Sequence, residues 1–251
     1  MIRYSVMEME RYLKMKHIEA KCFLPYNEKR MAKDIWEVTK MEKCNMSCID
    51  CAVQNCNLED KFYPDFCPTT NMNEEVLKDA MACYEKEENK KIMVAAAEIE
   101  FDHYCQYTRL EETMALAKKI GAKKLGIATC VGLITESRKL AEILRHHGFE
   151  VYGIACKAGV QKKQSVGIPE RCDSIGPNMC NPILQAKMLN EAKTDLNIVM
   201  GLCVGHDSLF YKHSDAMVTT LVTKDRILGH NPAAALYTAD FYYKKLKKRE
   251  Y

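Results

Sequence analysis

Thirteen cysteines occur in 251 residues, and four of them crowd into one short segment. Their spacing is Cys48-x2-Cys51-x4-Cys56-x10-Cys67, with Pro68 directly after. A tetrahedral thiolate site needs four sulfurs on one centre; a C-x2-C pair supplies two from one turn, and later cysteines loop in. Iron–sulfur clusters use the same ligand type, and a closing Cys-Pro suits a ferredoxin-type run. Buried, reduced cysteines are the plainer explanation, but four within a polar loop fit it poorly. Cys48, Cys51, Cys56 and Cys67 therefore read as metal ligands, with Cys44 as a fifth candidate. Cys44-x3-Cys48-x2-Cys51 also has the spacing of a radical S-adenosylmethionine cluster. Against that reading, Asp50 stands where an aromatic is usual, and Cys56 and Cys67 would go unused.

A second group is scattered in sequence. Cys130, Cys156 and Cys203 each end a short apolar run, namely 124–130, 149–156 and 197–203. In a βαβ unit the strand C-terminus and the next helix N-terminus share one sheet edge, where open α/β sheets bind ligands. Cys180-Asn181-Pro182 and His230-Asn231-Pro232 each read as an Asn N-cap with Pro at N1, which brings Cys180 and His230 to that edge. Cys105 precedes a helix and is a further candidate. One strand-end cysteine is more often plain core, but three of three, joined by Cys180 and His230, favour a second cofactor site. Helix N-termini there would also favour thiolates. His206 beside Asp207 could move protons; in the alternative, Asp207 caps a helix beginning at Ser208. Lys224-Asp225-Arg226 could hold an anion, although a charged turn is more often merely solvated. Cys172 falls in a long loop, 157–179, that could act as a lid, and Cys83 reads as structural.

These groups need elements to carry them. Residues 1–40 read as a helical extension with a helix near Val6–Ile18, 41–72 as a Cys-rich metal-binding module, and 73–251 as an α/β domain. Apolar periodicity predicts helices over 74–88, 92–101 and 109–120, the last stopped at Gly121. Strands 124–130, 149–156, 197–203 and 216–223 then alternate with helices 135–147, 182–193 and 232–247. That alternation predicts a parallel sheet covered on both faces, Rossmann-like or flavodoxin-like.

The composition is 47% hydrophobic and 28% charged, and a net charge of +3 gives no reason to expect nucleic acid. No apolar run approaches the ~20 residues of a membrane span. The first 17 residues lack the apolar stretch of a secretory signal, so a cytoplasmic protein with reduced thiols is expected. The partners expected are a small-molecule substrate or an electron donor, and a homodimer is compatible with these residues.

Together the motifs carry a family resemblance. Residues from about Cys48 to Tyr237 resemble the metal-binding proteins of domain of unknown function family 1847. The matching stretches are Cys48-x2-Cys51-x4-Cys56, Cys67-Pro68, Tyr104-Cys105-x3-Arg109 and Gly126-Ile127-Ala128-x-Cys130-x-Gly132-Leu133. Cys156-Lys157-x-Gly159, Cys180-Asn181-Pro182, Gly201-Leu202-Cys203-Val204-Gly205-His206-Asp207 and His230-Asn231-Pro232 continue it. The resemblance implies metal binding and says little of substrate; Cys44 and the first 40 or so residues lie outside it.

The sequence thus leads to an expected iron–sulfur protein, with one or two clusters, that carries out redox or sulfur-transfer chemistry at the sheet edge. A non-catalytic zinc protein that senses or delivers metal is the rival. A radical enzyme built on Cys44, Cys48 and Cys51 is the third reading.

Overall fold

A computed structural model describes residues 46–51, 56 and 62–248. The expected extension 1–40, its helix near Val6–Ile18, and Cys44 lie outside the described residues. The chain divides into two units between Ala82 and Cys83.

In the first unit, Cys48–Asp50 forms one 3-10 turn, closed by a capping box between Ser47 and Asp50. Helix α1 (Pro68–Asn71) has Cys67 at its N-cap and proline at N1. Helix α2 (Glu74–Cys83) buries none of its residues. It ends five residues short of the predicted 74–88 helix. Lys86 turns extended as the N-cap of the next helix, and Asn89 Nδ2 donates to the Cys83 carbonyl at 2.8 Å. That side chain takes up a carbonyl which a longer helix would have satisfied.

The second unit opens with α3 (Glu87–His103) and α4 (Arg109–Ile120). Thr108 and Glu111 close a capping box at the start of α4, and Gly121, with φ +80°, stops it in the left-handed conformation. Four strands follow: β1 (Lys124–Thr129), β2 (Glu150–Ala155), β3 (Leu196–Met200) and β4 (Met217–Val222). All pairings are parallel, in the order β2-β1-β3-β4. The crossovers are α5 (Ile134–His146), α6 (Pro182–Glu191) and α7 (His206–His213).

Helices α4 and α5 pack Met114, Ala117, Leu140 and Leu144 against Leu125, Ile127, Ile198 and Met200 on one face. On the other face, Ala186, Leu189 and Phe210 of α6 and α7 meet Ala128, Ile154 and Val199. Every residue of β3 is buried, which explains why it reads as an unbroken apolar run rather than an alternation. The expected α/β architecture with a parallel sheet is thus present in the second unit.

The predicted closing helix 232–247 breaks into α8 (Ala233–Tyr237) and a separate 3-10 turn, Lys244–Lys247. Leu236, Tyr237, Phe241 and Tyr242 are all more than 70% exposed. Helices this short owe their stability to a packed face, and this segment has none. The Asn N-cap expected at Asn231 is also absent, since the helix is capped at Pro232. No helix among the described residues is long and apolar enough to cross a membrane.

Candidate metal and thiol centre

Strand pairing brings the first two thiols together. Thr129 and Ala155 are register partners in β1 and β2, so the next residues, Cys130 and Cys156, leave the sheet side by side. Cys130 N–H donates to Met200 O at 3.0 Å, and Cys156 N–H to Thr129 O at 2.8 Å, extending the ladder into both cysteines. A third thiol arrives by a backbone clasp. Asn181 N–H donates to the Cys156 carbonyl at 2.8 Å, placing Cys180 beside Cys156. As its sequence predicts, Asn181 caps α6, its Oδ1 accepting from Leu184 N–H at 2.9 Å.

Gln185, fully buried on α6, braces this corner. Its Nε2 donates to Ile154 O at 2.7 Å and to Thr129 O at 3.1 Å, bridging the ends of β1 and β2 just before their cysteines. Its Oε1 has no protein partner. Sequence reading missed this residue, and the signal available was a lone amide among the apolar residues of Pro182–Leu189. Gly201 is needed for a different reason. It sits at φ +63°, and a Cβ there would fall 2.2 Å from Leu133 Cδ1.

Cys156 lies within hydrogen-bonding reach of both Cys130 and Cys180, with Val131 N–H donating to its sulfur at 3.4 Å. Its two sulfur neighbours, and burial after them, push its thiol well up, against the Val131 amide. Cys130 is held down at about 5 by the Cys156 thiol, against burial, with help from the Gly132 amide and Lys224. Cys180 is held down at about 4 by Cys156 and His206, again against burial and aided by Lys157. The His206 imidazole is raised by its bond to Cys180, against burial. Along the row, Cys130 and Cys180 are thus drawn toward the thiolate, Cys156 toward the thiol and His206 toward its protonated form. Such alternation is what shared protons impose on packed thiols.

Cationic groups surround the row. Lys157 donates to Asn178 O at 2.5 Å within the field of Cys180 and His206. Arg226 Nη2 donates to Cys203 Sγ at 3.0 Å and stands in the field of Cys130 and Cys180. Lys224 and Arg226, weighed from sequence as a solvated turn, thus face the thiols. Asp207 is the acid beside His206. Helix α7 starts at His206 rather than Ser208, with Gly205 at its N-cap, while Asp207 Oδ1 accepts from Ser208 N–H at 2.8 Å.

The other candidates have surroundings of their own. Cys105, at φ +55°, lines a cavity of about 470 Å³ with Tyr104, Tyr107, Arg109 and Thr219. His230 Nδ1 accepts from Asp225 N–H at 3.1 Å, closing the loop after β4. Cys203 shares the rim, where Arg226 is its bonded partner. In the first unit, Cys48 is exposed and Cys51 half-buried at the ends of one turn, Cys56 is exposed, and Cys67 is buried. Burial works against it, yet the Thr69 hydroxyl and the Thr69 and Thr70 amides draw the Cys67 thiol below its ordinary value. Every described cysteine is a free thiol. Among the described residues, no group of three or more His, Cys, Asp or Glu forms a ready-made metal cage.

An archaeal protein of Methanocaldococcus jannaschii, described as "Uncharacterized protein MJ0455", is 49% identical over 163 residues, covering 65% of this chain and 83% of that protein. The pattern of the family described as "Protein of unknown function (DUF1847)" matches residues 67–221. The match is narrower than the motif resemblance: it takes in Cys67 and the thiol row but leaves out Cys48, Cys51, Cys56 and His230. The chain belongs to the DUF1847 family.

Proposed function

We propose that this protein binds a metal centre, iron–sulfur in kind, on soft thiolates at the C-terminal edge of its parallel sheet, and there performs redox or sulfur-transfer chemistry on a small molecule. The observation that carries the reading is Cys156 standing within reach of both Cys130 and Cys180, with His206 on Cys180. The donor set fits such a group in type: soft sulfurs, one imidazole, and cations to offset the charge of a thiolate-bound centre. It does not fit as a finished cage, so ligation would need these side chains to turn toward a common point. Cys130, Cys156 and Cys180 would be the ligands, with Cys203 next on the rim. Cys48, Cys51, Cys56 and Cys67 would hold a second, peripheral centre.

The strand order β2-β1-β3-β4 is the beginning of the flavodoxin-type order, whose switch point between β1 and β3 is a common ligand crevice. The residues there suit an anionic small molecule: Lys157, Lys224 and Arg226 attract it, and His206 with Asp207 holds a proton next to Cys180. A bound iron–sulfur centre would supply one-electron transfer. Reduced thiols of this kind belong in the cytoplasm.

One observation favours a zinc reading as the second choice. Cys130, Cys156, Cys180 and His206 make a Cys3His set, a combination that structural zinc adopts. Anaerobic purification with iron, zinc and acid-labile sulfide analysis separates the two. Iron and sulfide with broad absorption near ~400 nm, lost in the Cys130→Ser/Cys156→Ser/Cys180→Ser variant, are expected. Stoichiometric zinc without colour would replace the redox reading with the zinc one. Protein free of both metals would refute metal binding.

A further inference from the structure

A dithiol needs two sulfurs, whereas this edge has three in a row, graded in access. Cys156, in the middle, is 3% exposed and Cys130 is 8% exposed, while Cys180 is only half-buried. Cys180 is therefore the sulfur an incoming molecule meets first, and Cys156 is the one that waits behind it. Neighbouring parallel strands stand about 4.8 Å apart, inside the roughly 4.4–6.8 Å Cα span of a disulfide, so Cys130 and Cys156 are also placed to join. Lys224 and Arg226 bond cysteine sulfurs of this edge, Lys157 acts on Cys180 through its field, and Asp207 acts on His206.

We propose that the sheet edge carries a thiol–disulfide exchange activity toward small anionic disulfides, with Cys180 as the attacking thiol and Cys156 as the shared resolving thiol. The activity uses the same thiols as the metal reading but does not need a metal. In the first step the Cys180 sulfur attacks one sulfur of RS–SR. The S–S bond breaks, RS⁻ departs with the electron pair, and a mixed disulfide forms. Cys180 attacks as the thiolate, and the proton that it shares with His206, its hydrogen-bond partner, goes to the departing RS⁻. In the second step the Cys156 sulfur attacks the Cys180 sulfur, and its proton leaves with the second RS⁻. Two protein thiols are oxidised and one small disulfide is reduced to two thiols; exchange with Cys130 can then move the protein disulfide inward.

The test treats the protein, as purified and again after a chelator, with one equivalent of 3,3′-dithiodipropionate (a dianion) or cystamine (a dication). Site-resolved mass spectrometry then locates the products. A disulfide of Cys156 with Cys180 or Cys130 is expected. Cys156→Ser should stop at a mixed disulfide on Cys180, and Cys180→Ser should carry none at the site. Raising salt from 20 to 500 mM should slow the dianion about tenfold and not the dication, and Lys157→Gln/Lys224→Gln should erase that difference. Label confined to the exposed Cys83 and Cys105, or a rate indifferent to charge, overturns the proposal. Metal that binds while the chelated protein makes no Cys156 disulfide refutes the exchange and leaves the metal reading standing. Exchange in a protein that never binds metal refutes the metal reading alone.

Discussion

Replacing Gly126 with alanine tests how tightly β1 is seated before it delivers Cys130. A Cβ at Gly126 would fall 1.9 Å from Asn197 Oδ1 and 3.0 Å from both Asn197 Cγ and Leu189 Cδ1. Gly126 is not in the left-handed region, so the cost is purely one of space. Asn197 cannot easily give way, because it is fully buried in the central strand β3 and tied at both ends. Its Oδ1 accepts from Thr194 Oγ1 at 2.7 Å, and its Nδ2 donates to Ser214 Oγ at 2.8 Å. Overpacking costs about 1–3 kcal/mol, and displacing the amide gives up two buried hydrogen bonds of about 1 kcal/mol each. Gly126→Ala should then cost about 3–5 kcal/mol, a large share of the ~5–15 kcal/mol that holds a domain.

Asn197→Ala alone should cost about 2 kcal/mol, since Thr194 Oγ1 still has Leu189 O as an acceptor and Ser214 Oγ keeps its own bond to Ala216 O. In the double variant the new methyl occupies the space the amide leaves. Urea denaturation of all four proteins should show a favourable coupling of about 2 kcal/mol. Strict additivity within about 0.5 kcal/mol, or a Gly126→Ala cost under about 1 kcal/mol, would refute this account of the β1–β3 contact.

Three further outcomes follow from the site. Asn181→Ala removes the cap on Leu184 N–H and should cost about 1 kcal/mol in the same denaturation assay, most visibly as earlier exposure of Cys180 to alkylation. Gly201→Ala forces a left-handed alanine (about 1–2 kcal/mol) and a clash with Leu133 (about 1–3 kcal/mol), so about 2–5 kcal/mol should be lost, again read by urea denaturation. Because Cys180 is held down at about 4 by Cys156 and His206, its thiolate persists as pH falls from the ordinary thiol value near 9. In chelated protein its alkylation by iodoacetamide should stay nearly flat between pH 8 and 5, whereas an ordinary thiol slows about tenfold per pH unit below its pKa; a Cys180 profile parallel to that of N-acetylcysteine would contradict it.

Much of the second unit was legible because the central strands β1 and β3 are buried on both faces and announce themselves as apolar runs. The helix from Arg109 to Ile120 was legible through its capping pair Thr108 and Glu111 and its stop at Gly121. Signals that depend on what packs against a segment were not. The segment after Pro232 has helical periodicity, yet nothing buries Leu236 or Phe241, and the helix ends at Tyr237. Cys105 and His230 share motifs with the edge cysteines but lie in other surroundings, one in the cavity beside Arg109 and one locked to Asp225.

By itself the sequence determined that Cys130 and Cys156 stand where strands end, one residue beyond β1 and β2, and that Cys180 precedes a capped helix, because strand runs and an Asn-Pro cap are local patterns. Only tertiary structure decided that Cys156 is the middle sulfur, that Gln185 braces the two strand ends, and that Lys157, Lys224 and Arg226 turn toward the thiols. Those relations join residues about 23–94 positions apart, and they arise from strand order and one backbone hydrogen bond, which no local pattern encodes.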